Sequence, residues 1–459
     1  MYQIDFDHPI SVYFIGIGGI SMSGLAEILL SRGFTISGSD RVASPLTELL
    51  EKKGATVHYG QRAENINPDI DLVVYTAAIS KDNPEWIAME QLQIPSLSRA
   101  ELLGEIMRNY ELPIAISGTH GKTTTTSMVS EILLHADTDP NLSIGGILKS
   151  IDGNIRVGHS QYFVTEACEY TNSFLEFNPK ISIILNIEED HLDFFKDLAQ
   201  IRDSFHRFAS LLPSDGRLII NHEIDQIEEI TAGIACPYIT YGFTSDCDYY
   251  ATDIVYDELG YPTFILHSKD HLDSLVTLAV PGRHNISNSM AAIAFSDCAG
   301  IDRKTALDAL HQFKGTERRF EKKGKVAGIT IIDDYAHHPT EIEATLQAAS
   351  NYPHKTLWCV FQPHTYTRTK AFLPEFAKAL SHADKVVLAD IYAAREKNTL
   401  GISSMDLCKA IQEEGTFCEY FPSFDEIENF LLENCAQGDL LITMGAGDIV
   451  KVGERLLGK

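Results

Sequence analysis

The stretch that most restricts what this chain can fold into runs from Ile114 to Thr126, where an apolar run meets a glycine loop. Residues 114–116 are typical of a buried strand, and a helical pattern follows from Ser127. Between them lie Gly118-Thr119-His120-Gly121-Lys122-Thr123-Thr124. In such a loop, backbone N–H groups and the following helix N-terminus face an anion, the lysine reaches the outer phosphates, and the next hydroxyl contacts Mg²⁺. The stretch therefore predicts an ATP-phosphate site, and a glycine turn without a ligand is the alternative.

A second glycine loop lies near the start of the chain. An apolar strand pattern at 10–15 leads into the sequence Gly16-Ile17-Gly18-Gly19, followed by a helical pattern and a second strand that ends in Ser39-Asp40. This order is typical of a nucleotide-binding βαβ unit, in which the glycines admit a diphosphate and the acid accepts from a ribose hydroxyl. The loop does not separate NAD from a UDP-sugar, and a similar fold without a nucleotide is a further alternative.

The middle of the chain carries polar residues where two predicted strands end. Glu166 and Glu169 follow the strand pattern at 162–165, and His191 follows that at 181–185. Ligands collect at the carboxyl ends of strands in α/β sheets, and carboxylate and imidazole are acceptable Mg²⁺ ligands, so these residues predict a metal site near the loop. Glu166 as a solvated acid and His191 as a packing residue are the alternatives. Asn285 and Asn288, at the head of a predicted helix, are either caps or contacts to an adenine edge.

The last part of the chain repeats the α/β pattern, and each strand ends in a polar cluster. Asp333-Asp334-Tyr335-Ala336-His337-His338 follows one strand, and His364 to Arg368 follows the next. Several such clusters on one edge of a sheet predict a ligand-facing rim. Three α/β units, of which only the middle one has a phosphate loop, predict an enzyme that closes on its substrates.

Composition limits the class of protein. A chain of 459 residues predicts about three domains, and 37 Lys plus Arg against 64 Asp plus Glu give a net charge of −27. Such acidity argues against nucleic-acid or anionic-membrane binding. The eight cysteines form no Cys-x-x-Cys pair, the start of the chain is unlike a signal peptide, and no apolar run reaches the ~18 residues of a membrane span. We therefore expect a cytoplasmic protein with reduced thiols.

Taken together, these motifs resemble the Mur ligase family of bacterial peptidoglycan synthesis. The matching stretches are 16–24, 118–124, 166–169, 186–193, 281–288, 318–321, 333–339 and 361–368. They occur in the family's order along the whole chain, and the family's loop is Gly-Thr-x-Gly-Lys-Thr. The resemblance implies an α/β fold of three domains: a Rossmann-like UDP-sugar domain at 1–109, a central P-loop ATPase-type domain at 110–314, and a C-terminal Rossmann-like domain at 315–459.

The resemblance also implies an activity. The lactyl carboxylate of UDP-N-acetylmuramate attacks the γ-phosphate of ATP, and L-alanine then displaces phosphate from the acyl phosphate to form an amide. ATP and Mg²⁺ (or Mn²⁺) are the implied cofactors. The implied catalytic residues are Lys122, Glu166, His191 and Arg319. The implied metal ligands are Thr123, Glu166 and His191.

Binding residues are implied by the same resemblance. For ATP they are Gly118, Thr119, His120, Gly121, Lys122, Thr123, Thr124, Asn285, Asn288, Arg319 and Asp334. For the UDP-sugar they are Gly16, Gly18, Gly19, Ser39 and Asp40. For the amino acid they are Tyr335, His337, His364 and Arg368. Some relatives carry an arginine where Thr365 stands, and several siblings have a carbamylated lysine that this sequence does not place.

Three other functions are compatible with parts of the sequence. A sibling ligase joins a tripeptide to the same UDP-sugar. A nicotinamide-dependent oxidoreductase would use the Gly16 loop but would leave Lys122 without a role. A nucleotide-binding regulator without activity would not need Lys122, Glu166 and His191 together. The oligomeric state, the order of substrate binding and the choice among L-alanine, glycine and L-serine stay open.

Overall fold

The protein, described here from a computed structural model, contains three β-sheets that follow one another along the chain. The structure describes residues 2–76, 78–394 and 396–459. The sheets span 11–98, 112–277 and 321–444, so each lies inside one of the three predicted segments. The segment bounds 1–109, 110–314 and 315–459 themselves stay a prediction.

The first sheet is parallel and positions the first glycine loop. Its strand order is β3-β2-β1-β4-β5, so the order reverses beside β1, where ligands bind in doubly wound folds. The strands are β1 (Ser11–Ile15), β2 (Thr35–Asp40), β3 (Thr56–Tyr59), β4 (Leu72–Tyr75) and β5 (Ser96–Ser98). The helices are α1 (Ile20–Ser31), α2 (Pro45–Lys52), α3 (Pro84–Gln91) and α4 (Arg99–Met107).

The central sheet places the phosphate loop beside the strands that carry Glu166 and His191. Its order is β15-β14-β13-β12-β11-β10-β6-β9-β7-β8, in which β6 pairs in parallel with both β9 and β10. The strands are β6 (Leu112–Ser117), β7 (Asn141–Leu148), β8 (Gly153–Arg156), β9 (Tyr162–Ala167), β10 (Ile181–Ile184), β11 (Arg217–Asn221), β12 (Tyr238–Gly242), β13 (Tyr249–Tyr256), β14 (Pro262–Ser268) and β15 (His271–Thr277). The helices are α5 (Lys122–His135), α6 (Leu198–Ala209), α7 (Ile227–Thr231), α8 (Arg283–Cys298) and α9 (Arg303–Gln312).

The last sheet is parallel except at one edge, where β16 pairs with β17 in the antiparallel direction. Its order is β16-β17-β21-β18-β19-β20. The strands are β16 (Glu321–Val326), β17 (Ile329–Asp334), β18 (Leu357–Phe361), β19 (Lys385–Leu388), β20 (Phe417–Tyr420) and β21 (Leu440–Met444). The helices are α10 (Pro339–Ser350), α11 (Tyr366–Ala371), α12 (Leu373–Leu380), α13 (Ser404–Glu413), α14 (Phe424–Asn434) and α15 (Val450–Leu456).

Several element boundaries differ from the sequence pattern. Helix α5 begins at Lys122, directly after Gly121, rather than near Ser127, so the lysine occupies its first turn. Strand β9 continues through Glu166, because its pairing with β6 extends to that residue. Both Asn285 and Asn288 lie inside α8 and are not caps. Hydrophobic patterns end before polar strand residues do, and backbone pairing decides the true end.

Each sheet is packed against helices over a buried apolar core. Strands β10 and β21 are nearly continuous apolar runs and are fully buried, as expected when helices cover both faces of a sheet. The eight cysteines are free thiols, as predicted. Within the described ranges, no helix is both long and apolar enough to cross a membrane.

Candidate active site

A cavity of about 360 Å³ lies between the central and last segments, with the phosphate loop on one side. The loop contributes residues 119–123, the central strands contribute Glu166 and His191, and the last segment contributes Arg319, Tyr335 and His337. The cavity is also lined by Gly145, Gly146, Ile147, Asp190, Glu317, Arg318 and Glu341. The structure therefore brings residues predicted to bind ATP, the metal ion and the amino acid together around one cavity, and these residues come from two segments.

The shape of the phosphate loop depends on two glycines and on Asn288. Gly118 and Gly121 have φ values of +143° and +82°, which other residues adopt only under strain. A Cβ on Gly121 would stand 2.9 Å from Asn288 Oδ1. Asn288 Nδ2 donates to Asn285 Oδ1 at 3.1 Å, and Asn285 Nδ2 donates to the Pro281 carbonyl at 2.8 Å. Asn288 thus packs against Gly121, and Asn285 holds the Asn288 side chain in place.

Lys122 makes an ion pair inside the protein. Its Nζ lies 3.1 Å from Glu169 Oε2, and it also donates to the carbonyls of Gly118 and Thr119. Burial alone lowers the lysine pKa, but the Glu169 carboxylate outweighs burial and raises it. The lysine is therefore a fixed cation at the loop. This ion pair also distinguishes the roles of the two acids, because Glu169 pairs with the lysine whereas Glu166 lines the cavity.

Glu166 lies on the cavity wall opposite Arg319. Its Oε1 accepts from the Gly145 N–H at 2.6 Å, and a Cβ on Gly145 would stand 2.5 Å from Oε2, so only glycine fits there. Burial raises the Glu166 pKa, and the Gly145 N–H, Arg319 and Thr123 oppose this effect. A partly buried carboxylate on a cavity wall is suited to bind a cation.

His191 occupies a tight turn beside the same acids. Its φ is +52°, its ring lies 4.6 Å from the Tyr170 ring, and its Nε2 is 3.7 Å from both Glu169 Oε1 and Asp190 Oδ2. Thr123, Glu166 and His191 line one cavity and offer two oxygens and one nitrogen, a set that Mg²⁺ accepts. The donors present therefore fit the predicted ion.

Arg319 crosses from the last segment to the phosphate loop. Its Nη2 donates to Thr123 Oγ1 at 3.4 Å, its Nη1 is 3.9 Å from Glu341 Oε1, and its guanidinium lies 5.2 Å from the Tyr335 ring centre. Asp334 stands behind it, where its two oxygens accept from the Phe320 and Ala336 amides at 2.7 Å each. Burial raises the Asp334 pKa to about 6. In this structure Asp334 therefore holds the backbone directly after Arg319 and directly after Tyr335.

The residues predicted to bind the amino acid cluster around Arg368. Its Nε and Nη2 donate to Asp190 Oδ1 at 3.1 and 2.8 Å, and its Nη1 donates to His364 Nδ1 at 3.0 Å. Burial lowers the pKa of His364 to about 4 and that of His337 to about 3, so both rings are neutral at pH 7. Thr365 caps α11 by accepting from the Arg368 N–H.

The first glycine loop has an internal acceptor. Asp40 Oδ2 accepts from the Gly18 N–H at 2.8 Å, and the Ser39 carbonyl accepts from the Gly16 and Ile17 amides. The Ser39 hydroxyl donates to the buried Glu85 at 2.6 Å, so it supports the loop from below. The predicted UDP-sugar residues, including Gly19, therefore lie together at the carboxyl ends of β1 and β2.

Sequence reasoning missed two acids that the structure places at the cavity. Asp190 holds Arg368, and Glu341, in the first turn of α10, lies within reach of Arg319, His120 and His337. Asp190 stands next to His191 in a motif that matched the family. The only sequence feature of Glu341 was its place at the start of a helix, and a solvent-exposed acid without a function is also common there.

His120 connects the phosphate loop to the last segment. Its Nδ1 lies 3.3 Å from Glu341 Oε1, and its Nε2 lies 3.4 Å from Glu188 Oε2, at ion-pair distance without an aligned hydrogen bond. Glu188 also accepts from Thr340 Oγ1 at 2.7 Å, and the His338 ring lies 4.6 Å away. Burial alone lowers the His120 pKa, but the two carboxylates outweigh it and raise it to about 9.

This pKa predicts a pH-dependent contact between the two segments. A raised histidine pKa means that the charged contact is complete below the ordinary value of 6.5 and is lost as pH rises through about 9. We expect the radius of gyration of the ligand-free protein, measured by X-ray scattering, to increase between pH 8 and 10. His120→Gln should remove this transition while its circular dichroism stays native. A wild-type radius that does not change with pH would contradict the assignment.

Comparison with known proteins agrees with the geometry. Models described as the Mur ligase family catalytic domain, the Mur ligase middle domain and the Mur ligase glutamate ligase domain match residues 11–111, 116–296 and 318–447. The chain is 61% identical to the UDP-N-acetylmuramate–L-alanine ligase of Agathobacter rectalis over 459 residues, which is 100% of both chains.

Solved structures show the same similarity over nearly the whole chain. The UDP-N-acetylmuramate–alanine ligase of Thermotoga maritima is 29% identical, with a TM-score of 0.79 over 98% of both chains. A murein peptide ligase of Psychrobacter arcticus is 27% identical, with a TM-score of 0.70 over 98% of both chains. Three matching domains in order and full-length identity of this size lead to one conclusion: the chain belongs to the Mur ligase family.

Proposed function

We propose that this chain is an ATP-dependent ligase that joins L-alanine to the lactyl carboxylate of UDP-N-acetylmuramate in peptidoglycan precursor synthesis. The observation that carries the proposal is the shared cavity, in which Lys122, Glu166 and His191 face Arg319 and His337. Full-length identity of 61% to a relative named for this reaction supports the choice of L-alanine over a tripeptide. Because the proposed reaction consumes ATP, we propose a cytoplasmic location for the enzyme.

The proposed reaction has two balanced steps. A carboxylate oxygen of the sugar attacks the γ-phosphorus of ATP, so an acyl phosphate forms and ADP leaves. The alanine nitrogen, after its ammonium group loses a proton, attacks the acyl carbon. Inorganic phosphate then leaves, and a second proton passes from the nitrogen to the phosphate as the amide forms. Both steps develop negative charge on phosphoryl oxygens, which positive groups in a closed site stabilise.

Residues on two sides of the cavity supply that stabilisation. Lys122 places its ammonium group at the outer phosphates, and Arg319 approaches them from the last segment. Thr123, Glu166 and His191 would hold Mg²⁺, which would neutralise phosphate charge when bound. Gly118, Gly121 and the loop amides bind the phosphates, while Asn285 and Asn288 fix the loop on the adenine side. Closure of the last segment keeps water from the acyl phosphate.

The alanine and the UDP-sugar bind at opposite ends of this site. Arg368 offers a guanidinium to the alanine carboxylate, which shares it with Asp190, beside the neutral rings of His337 and His364 and the Tyr335 ring. The amides of Gly16, Gly18 and Gly19 bind the diphosphate, and Asp40 turns from the Gly18 N–H to a ribose hydroxyl. Asp334 orders the backbone that presents Arg319.

A set of single-component omissions tests this function. Phosphate release is expected only when ATP, Mg²⁺, UDP-N-acetylmuramate and L-alanine are all present, and mass spectrometry should find the alanyl product. Glycine, L-serine and a tripeptide are tried as alternative acceptors. Equal phosphate release without the UDP-sugar would refute the proposal. Faster turnover with the tripeptide than with L-alanine would show that the tripeptide, and not L-alanine, is the acceptor.

A further inference from the structure

Arg99 is a cation at the junction of the first and central segments, and no described residue forms an ion pair with it. It is the first residue of α4, directly after β5. Its Nη1 donates to Ser21 Oγ at 3.2 Å. Across the described ranges 2–76, 78–394 and 396–459, this is its only side-chain hydrogen bond, and it makes no ion pair.

The acids nearest to Arg99 in sequence are occupied elsewhere. Glu101 accepts from the Ser98 N–H at 2.6 Å as part of the helix cap, and Glu105 pairs with Arg108 at 3.0 Å. On the central side, the ionisable side chain that acts on Arg99 is that of Cys168. Burial also lowers the Arg99 pKa. A partly buried guanidinium beside neutral groups is unfavourable until an anion joins it.

The position of Arg99 indicates where that anion comes from. Ser21 lies in the first turn of α1, directly after the glycine loop that ends at Gly19. Cys168 follows Glu166 by two residues at the carboxyl end of β9, where the cavity wall begins. Arg99 therefore lies between the first glycine loop and the phosphate-transfer cavity, along the path that a UDP-sugar must span.

We propose that Arg99 binds an anionic oxygen of the UDP-sugar, either on the diphosphate or on the lactyl carboxylate. A guanidinium carries five N–H donors in a planar fork that suits both groups, and only one donor is in use here. Ser21 orients the fork from the side of the glycine loop. The inference rests on the proposed function and adds to it a residue that contacts the substrate.

Binding titrations without ATP test this assignment. Isothermal calorimetry compares wild type, Arg99→Met and Arg99→Lys with UDP, UDP-N-acetylglucosamine and UDP-N-acetylmuramate. We expect Arg99→Met to bind UDP-N-acetylmuramate about 10- to 100-fold more weakly, as for loss of a hydrogen bond to a charged group. Arg99→Lys should recover part of this loss. If the variant binds all three ligands more weakly, Arg99 contacts the diphosphate. If it binds only UDP-N-acetylmuramate more weakly, Arg99 contacts the lactyl carboxylate.

Controls separate this role from a structural one and from failure of the proposed function. Lys52→Met removes an exposed cation of the same segment and should leave all three affinities unchanged. The ligand-free melting temperature of Arg99→Met should equal or exceed that of wild type, because an unpaired cation is removed. Equal affinity of wild type and Arg99→Met for UDP-N-acetylmuramate overturns the Arg99 assignment. Failure of wild type to bind it overturns the function instead.

Discussion

Lys122→Ala is expected to slow phosphate release by on the order of 10²–10³-fold while UDP-sugar binding stays within about twofold of wild type. The lysine ammonium is the fixed cation of the phosphate loop, held by Glu169 at 3.1 Å. Loss of one preorganised positive group at a transferring phosphoryl group costs on the order of 10²–10³-fold in kcat. The loop predicted to bind the UDP-sugar belongs to a different sheet, so the affinity for the UDP-sugar should not fall together with kcat. Steady-state phosphate release and calorimetry with UDP-N-acetylmuramate measure the two quantities.

The same substitution leaves Glu169 buried without its partner. Breaking a buried ion pair on one side destabilises a protein by about 3–5 kcal/mol. The double variant Lys122→Ala/Glu169→Gln restores neutrality and should recover most of the lost melting temperature without recovering turnover. If turnover returned together with stability, the lysine would be a structural residue. Loss of UDP-sugar affinity in the folded double variant would contradict the assignment of the two ligands to different segments.

Arg368→Met is expected to raise KM for L-alanine by on the order of 10²-fold, because one partner of a buried, hydrogen-bonded charge pair is removed. The KM values for ATP and UDP-N-acetylmuramate should change much less. Arg368 donates twice to Asp190 and once to the neutral His364, so it is held in one orientation. Initial rates at varied L-alanine, with the other substrates saturating, measure the effect.

Asp190→Asn is the matched control for this prediction. If Arg368 binds the alanine carboxylate, the variant removes a competing negative charge, and KM for L-alanine should stay equal or fall. If Arg368 only joins two segments through Asp190, both variants should raise KM alike. The second outcome would exclude Arg368 as an alanine ligand. Circular dichroism of both variants checks that the fold is kept, because the pair is largely buried.

Part of the order of strands and helices could be predicted from the sequence. Apolar runs followed by glycine or polar clusters mark β1, β6, β10, β17 and β18, and the structure has strands at all of them. The ends were predicted less well. Glu166 and Asp334 lie inside strands, because backbone pairing continues beyond the apolar residues. The pattern of apolar side chains shows which residues are buried. The end of a strand depends instead on how far its backbone pairs with the neighbouring strand.

The candidate site could be predicted only as a set of residues without partners. Lys122, Thr123, Glu166, His191 and Arg319 stand in motifs, and the structure places all five at one cavity. Their partners had no local signal. Asp190 lies 178 residues from Arg368, and Thr123 lies 196 residues from Arg319. No spacing pattern reaches across such distances.

The sequence by itself determined the three α/β units, the phosphate loop and the resemblance to a family, because these depend on residues close together in the chain. Only the tertiary structure decided that Glu169 holds Lys122 while Glu166 faces the cavity. It also decided that Asp40 accepts from the Gly18 N–H and that Arg99 makes no ion pair with any described residue. The reason is physical: the charge state and free donors of a buried group depend on neighbours that folding brings from distant segments.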